Sequence, residues 1–127
     1  MFNNFFVILL VTLSYAGYNI FVKLSSSQNI NNTNNFVLTS KAYLYAMIAG
    51  ISIGIAEIGY FVLFNPTNTN GALNANVAIP IVLGGTILIT MFLSFYYFKE
   101  SYNLNKIIGT LFIILGIYLI FVKKNVD

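Results

Sequence analysis

From Leu44 to Phe64 the sequence is an almost unbroken apolar run, and three further runs of the same kind fill most of the chain. A membrane-spanning helix takes about 20 such residues, so this length holds four with short connections and no soluble domain. Hydropathy places them at about Phe5 to Leu24, Ala42 to Phe64, Ala72 to Phe98 and Leu104 to Val122. With 58% of residues hydrophobic and 7% charged, there is too little polar surface to coat a soluble globule of 127 residues. The expected fold is all-α, an integral membrane bundle of four transmembrane helices forming one domain over residues 1–127. No basic residue precedes the first run, and the polar loop after it has no small-residue cleavage site, which reads as a retained helix and not a signal peptide.

The residue inventory narrows the chemistry. Without Cys or His there are no disulfides, no thiolates, no haem ligands and none of the commonest zinc sites. A nucleophilic Ser or Thr would lack its usual base, so neither an enzyme nor a metal or cofactor site is expected. The net charge of +3 comes from lysines scattered near segment ends, which suits membrane flanks better than a nucleic-acid surface. Lys23, Lys41, Lys99 and Lys106 lie on the side of the first and third loops, and Lys123 and Lys124 on the side of the termini. That near balance allows insertion in both orientations and antiparallel pairing of two copies. Ser25 to Ser40 is expected to be a flexible hairpin loop; its sequon, Asn31-Asn32-Thr33, is too short a pattern to carry weight. Asn65 to Gly71 reads as a tight turn region.

One carboxylate interrupts the second run: Glu57. An ionised group at bilayer depth costs roughly 3 kcal/mol on insertion scales, so an intramembrane acid is a functional candidate by default. Polar residues elsewhere fall into stripes. Thr12, Tyr15, Asn19 and Lys23 follow steps of three and four along one face of the first helix. Asn76, Thr86, Thr90, Ser94 and Tyr97 fall within an arc of roughly 80° on a regular third helix. Pro80 leaves the carbonyl one turn earlier without its helical donor, free to bind a ligand or to act as a hinge. Levelling the helices at 1.5 Å per residue puts Glu57 near Pro80 and near Leu9 to Thr12. Lys23 lies roughly 20 Å further along the membrane normal on that rise and meets Glu57 only in an inverted partner. Ala46, Gly50 and Gly54 at spacing four, with Gly109 and Gly116 at spacing seven, are expected helix-packing faces that favour a dimer.

The run GALNANVAIPIVLGGTILITMFLSFYYFKESYNLNKIIGTLFIILGIYLI resembles the second half of a domain of the drug/metabolite transporter superfamily, which includes EamA-like domains and the four-helix small multidrug resistance proteins. The most specific parts are Phe98-Lys99-Glu100-Ser101, Ile107-Ile108-Gly109-Thr110 and Leu115-Gly116-Ile117, with Asn19 to Ser25 resembling the lysine-bearing end of the first helix. The resemblance implies that Gly109 and Gly116 serve dimer packing. It also departs from the exporters: where they carry a glutamate in the first helix this chain has Tyr15 or Ser14, and their third-helix aromatic residue is missing around Pro80 to Gly84. The expected function is a small, dimeric, multi-pass transporter or flippase for a small polar or amphipathic solute. Glu57 would exchange the proton, Tyr60 would hydrogen-bond it from one turn away, and Tyr15, Asn19, Asn76 and Pro80 would line the path. The alternative is a non-transporting accessory subunit of another membrane protein.

Overall fold

The computed structural model describes residues 3–28, 39–68, 71–101 and 103–121. It consists of four α-helices, α1 (Asn4–Ser27), α2 (Ser40–Phe64), α3 (Ala75–Phe98) and α4 (Leu104–Phe121). The first three are long and apolar enough to cross a membrane, and α4 is shorter and as apolar. Hydrocarbon offers the backbone no hydrogen-bond partner, so such runs must satisfy their amides internally, as helices do. Large apolar side chains cover the outside, with Phe5, Phe61 and Tyr96 each more than 70% exposed. That surface suits lipid, and the chain is a multi-pass membrane protein.

Polar residues set the helix ends. Asn3 caps α1 by accepting from the Phe5 amide, and Thr39 caps α2 by accepting from that of Ala42. Ser25, Ser26 and Ser27, expected in the loop, extend α1 instead. Their polarity is absorbed locally: the Ser25 hydroxyl donates to the Ala42 carbonyl at 2.8 Å and that of Ser27 to the Leu24 carbonyl at 2.8 Å. Helix α2 likewise starts at Ser40; residues 29–38, with the sequon, lie outside the described residues. Helix α3 begins at Ala75, three residues after the hydropathy onset at Ala72. The Leu73 amide is held by the Leu63 carbonyl at 2.9 Å, and Gly71 takes a left-handed φ of 80° that starts the turn. Val122 lies outside the described residues.

Helix α1 packs against both α2 and α3. On α2 the seam is Ala42, Ala49, Ala56 and Leu63, seven residues apart and all buried. A Cβ at Gly59 would overlap the Val11 side chain, so glycine is what lets these two backbones approach. The face expected to pack, Ala46, Gly50 and Gly54, is exposed, and no atom lies within 4 Å of a Cβ built at either glycine. On α3, Gly85 lies under Thr12, whose Cγ2 is 2.9 Å from where a Cβ would stand. Val7, Val11, Ala56, Leu63 and Val82 form the core shared by the three helices. Helix α4 rests on the other side of α3, with Ile117 and Ile113 over Gly84 and the Thr110 hydroxyl 3.0 Å from the Met91 sulfur. The Asn4 amide donates to the Gly71 carbonyl at 3.0 Å, placing the second loop beside the start of α1, while Lys23 and Glu100 meet at the opposite end. Thus α1 and α3 run in one direction, and α2 and α4 in the other.

Gly59→Ala should loosen the α1–α2 seam by about 1–3 kcal/mol, because the stiff, branched Val11 has to move. Thermal unfolding in detergent checks this: the midpoint should fall for Gly59→Ala and hold for Gly17→Ala, where the nearest atom to a Cβ, Ser52 Oγ, is 3.7 Å away.

Candidate functional site

Glu57 sits on α2 seven residues before its end, about 10 Å deep at the helical rise. Its side chain is exposed on the surface of the single chain. Tyr15, reaching across from α1, donates its hydroxyl to Glu57 Oε1 at 2.5 Å. Together they stand at a cavity of about 540 Å³ lined by Tyr60, Phe61 and Phe64 of α2 and by Ile79 and Leu83 of α3. The Tyr60 ring lies 5.8 Å from that of Tyr15 and stacks on Phe64 at 5.4 Å. The lining therefore combines one carboxyl group, two phenols and a set of apolar and aromatic walls.

Several expected members stand elsewhere. Tyr60 lines the cavity without donating to Glu57, because its ring is held between Tyr15 and Phe64 and the donor comes from the neighbouring helix. Asn76 is exposed and Pro80 half-buried, and neither lines the cavity. Ile79 and Leu83, four apart, take the facing positions on α3 and turn their neighbour Pro80 aside. The helix continues unbroken through Pro80. Gly109 and Gly116 lie on an open face of α4, where a Cβ would meet nothing within 4 Å.

Asn19 belongs to a second cavity, of about 340 Å³, lined by Ile87, Thr90, Met91, Ser94 and Phe95 of α3, by Glu100 and Ser101, and by Lys106 of α4. The Asn19 amide donates to the Thr90 hydroxyl at 3.4 Å. At its rim Lys23 pairs with Glu100 and lies 4.3 Å over the Phe98 ring. The pairing depends on a backbone detail: Lys99 takes a left-handed conformation, φ 52°, and the Glu100 amide folds back onto the Ser94 carbonyl. Lys23, expected to await a partner's Glu57, is thus engaged within its own chain. This ion pair escaped the sequence reading, although its lysine closes the α1 polar stripe and its acid opens the only loop bearing a carboxylate.

The two cavities lie toward opposite ends of the helices, and one helical turn divides them. On α3 the first ends at Leu83 and the second begins at Ile87; on α1 they meet Tyr15 and Asn19. Within that turn Thr86 is buried, and its hydroxyl has no hydrogen-bond partner among the described residues.

None of the family models, curated proteins or solved structures compared with the chain matches it. The functional reading therefore rests on these side chains.

Lys23 holds the Glu100 carboxyl below its ordinary value, chiefly through their hydrogen bond. Its acidity is lowered in the fold, so the pairing contributes at any pH above the unfolded carboxylate range of about 4.3 and is lost as pH falls through the lower folded value. Carbon-detected NMR titration of the glutamate side chains should show the Glu100 midpoint move upward, toward its ordinary value, in Lys23→Gln.

Proposed function

We propose that this protein is a small membrane transporter or flippase of the drug/metabolite transporter type, working as a dimer, in which Glu57 exchanges a proton against a small polar or amphipathic solute. The observation that carries the reading is Glu57 itself: a carboxyl group within a membrane helix, bonded to Tyr15, at the wall of a cavity large enough for a small solute. Among the described residues no cation pairs with it. Hydrocarbon favours the neutral form of a carboxyl group, while water or a polar ligand entering the cavity favours the charged one. Ligand entry and proton loss are therefore linked by the same desolvation cost.

The two cavities support a transport reading over a static binding site. A solute bound beside Glu57 is separated from the opposite cavity by a single turn of α1 and α3, about 5 Å thick at the helical pitch. Small relative shifts of these helices suffice to exchange which side is open. The exposure of Glu57 supports dimerisation, because a carboxyl group facing lipid is costly and a second copy would cover it. The open Gly50 and Gly54 face of α2, and that of Gly109 and Gly116 on α4, provide close-packing surfaces. Those same glycine faces also fit the accessory-subunit reading, in which the covering helices belong to another membrane protein.

In weakly buffered detergent solution, mixing the protein with its solute should release protons. Amino acids, nucleosides, polyamines, sugars and lipid-linked sugars form the panel to screen. Glu57→Gln should abolish both that release and uptake driven by a pH gradient; unchanged uptake removes the acid from the mechanism. Leu in place of Gly109 and Gly116 should shift the mass measured by light scattering from dimer to monomer, while an accessory subunit purified alone would be monomeric from the start.

A further inference from the structure

The second cavity, which the transport reading uses as the opposite opening, has a chemistry of its own. Its mouth gathers Ser94, Glu100, Ser101 and Lys106, and its floor is Ile87, Met91 and Phe95, a row at steps of four along α3, while Asn19 and Thr90, lower on the wall, are bonded to each other. The row spans eight residues, about 12 Å at the helical rise, and descends from the helix end toward the middle of the membrane. A groove that is polar at the interface and apolar below has the shape of an amphiphile. We propose that it holds the anionic headgroup of an amphiphile, with Lys106 as the charged contact and the chain lying along Phe95, Met91 and Ile87.

The sign of the headgroup follows from the charges present. Glu100, the acid in the lining, is already neutralised by Lys23. The Lys106 ammonium makes no ion pair among the described residues. Lys23, Lys41 and Lys99 lie at the same end of the bundle, giving with Lys106 four positive charges against the one negative charge of Glu100. An anion entering there therefore meets an attractive field, and Lys106 can engage it without breaking an existing pair. A cationic headgroup would meet the same excess as repulsion. The hydroxyl of Ser101 supplies a neutral hydrogen-bonding group in the same lining. Depth fits as well: Lys106 lies in the first turn of α4 and Glu100 just beyond the end of α3, where headgroups lie. None of its lining residues lines the Glu57 cavity, so loss of headgroup binding and loss of proton exchange are measured separately.

Calorimetric titration of the full chain in a neutral maltoside detergent tests this, with hexyl phosphate, inorganic phosphate and hexyl glucoside as probes below their micelle-forming concentrations. Hexyl phosphate should bind at least tenfold more tightly than either of the other two. Lys106→Gln should weaken it about tenfold, the scale of one charge-assisted hydrogen bond, while Lys106→Arg retains binding. Lys41→Gln should leave it unchanged, since that lysine shares the field but not the cavity. The Lys106 side chain is exposed, so its replacement leaves the packing intact. Equal affinity for hexyl glucoside, equal affinity for inorganic phosphate, or undiminished binding by Lys106→Gln would each overturn the assignment.

Discussion

A polar helix face inside a membrane has to be covered by protein, and α1 carries one from Thr12 to Lys23. Thr12 returns its hydroxyl to the Ile8 carbonyl at 2.8 Å and presents its methyl to Gly85. Tyr15 meets Glu57 on α2, Asn19 meets Thr90 on α3, and Lys23 meets Glu100 beyond α3. Successive members thus bind α1 to both neighbours at fixed depths. A slide or rotation of α1 would leave several of these groups unpaired, at about 1–3 kcal/mol for each one buried. Because α4 touches the rest chiefly through α3, the arrangement of all four helices follows from how this one stripe is covered.

The two carboxyl groups of the described chain are placed to behave in opposite ways. Glu100 lies outside the membrane beside an ammonium and remains charged through the physiological range. Glu57 has a phenol and aromatic rings for company, with no cation among the described residues. The first acid is suited to holding an end of the bundle closed, and the proposed proton exchange falls to the second.

Much of this was legible in the residues, for identifiable reasons. Apolar length alone dictates four helices, since no other backbone arrangement survives in hydrocarbon without closing into a barrel. The α1 stripe is periodic, and each of its polar groups does meet protein. The α3 stripe was legible only in part: Thr86 is buried and Thr90 is bonded, but Asn76 and Tyr97 face outward, because an arc of this width spans more than one contact. Partners were harder to read than faces. Tyr60 was the nearest donor to Glu57 along the chain, and Tyr15 proved the nearest in space, since periodicity orients a side chain without saying which neighbour it meets. The small residues divide between two faces. Ala42, Ala49 and Ala56 pack at spacing seven, while the more conspicuous Ala46, Gly50 and Gly54 look outward. The Lys23–Glu100 pair depends on the left-handed turn at Lys99, a backbone choice that a non-glycine residue gives no warning of.

The interfaces between the helices differ in kind. Between α1 and α2 the contact is a close-packed seam of alanines with Gly59 under Val11, and such interdigitated surfaces separate only at the loss of many contacts at once. Between α1 and α3 the connections from Thr12 upward are a methyl on Gly85, one 3.4 Å hydrogen bond and an exposed ion pair. Polar pairs of this type exchange readily for water, which exacts little when an interface opens. Tyr15 and Glu57 join α1 to α2 across that seam, and α3 completes the cavity beside them with Ile79 and Leu83, so the cavity depends on both interfaces.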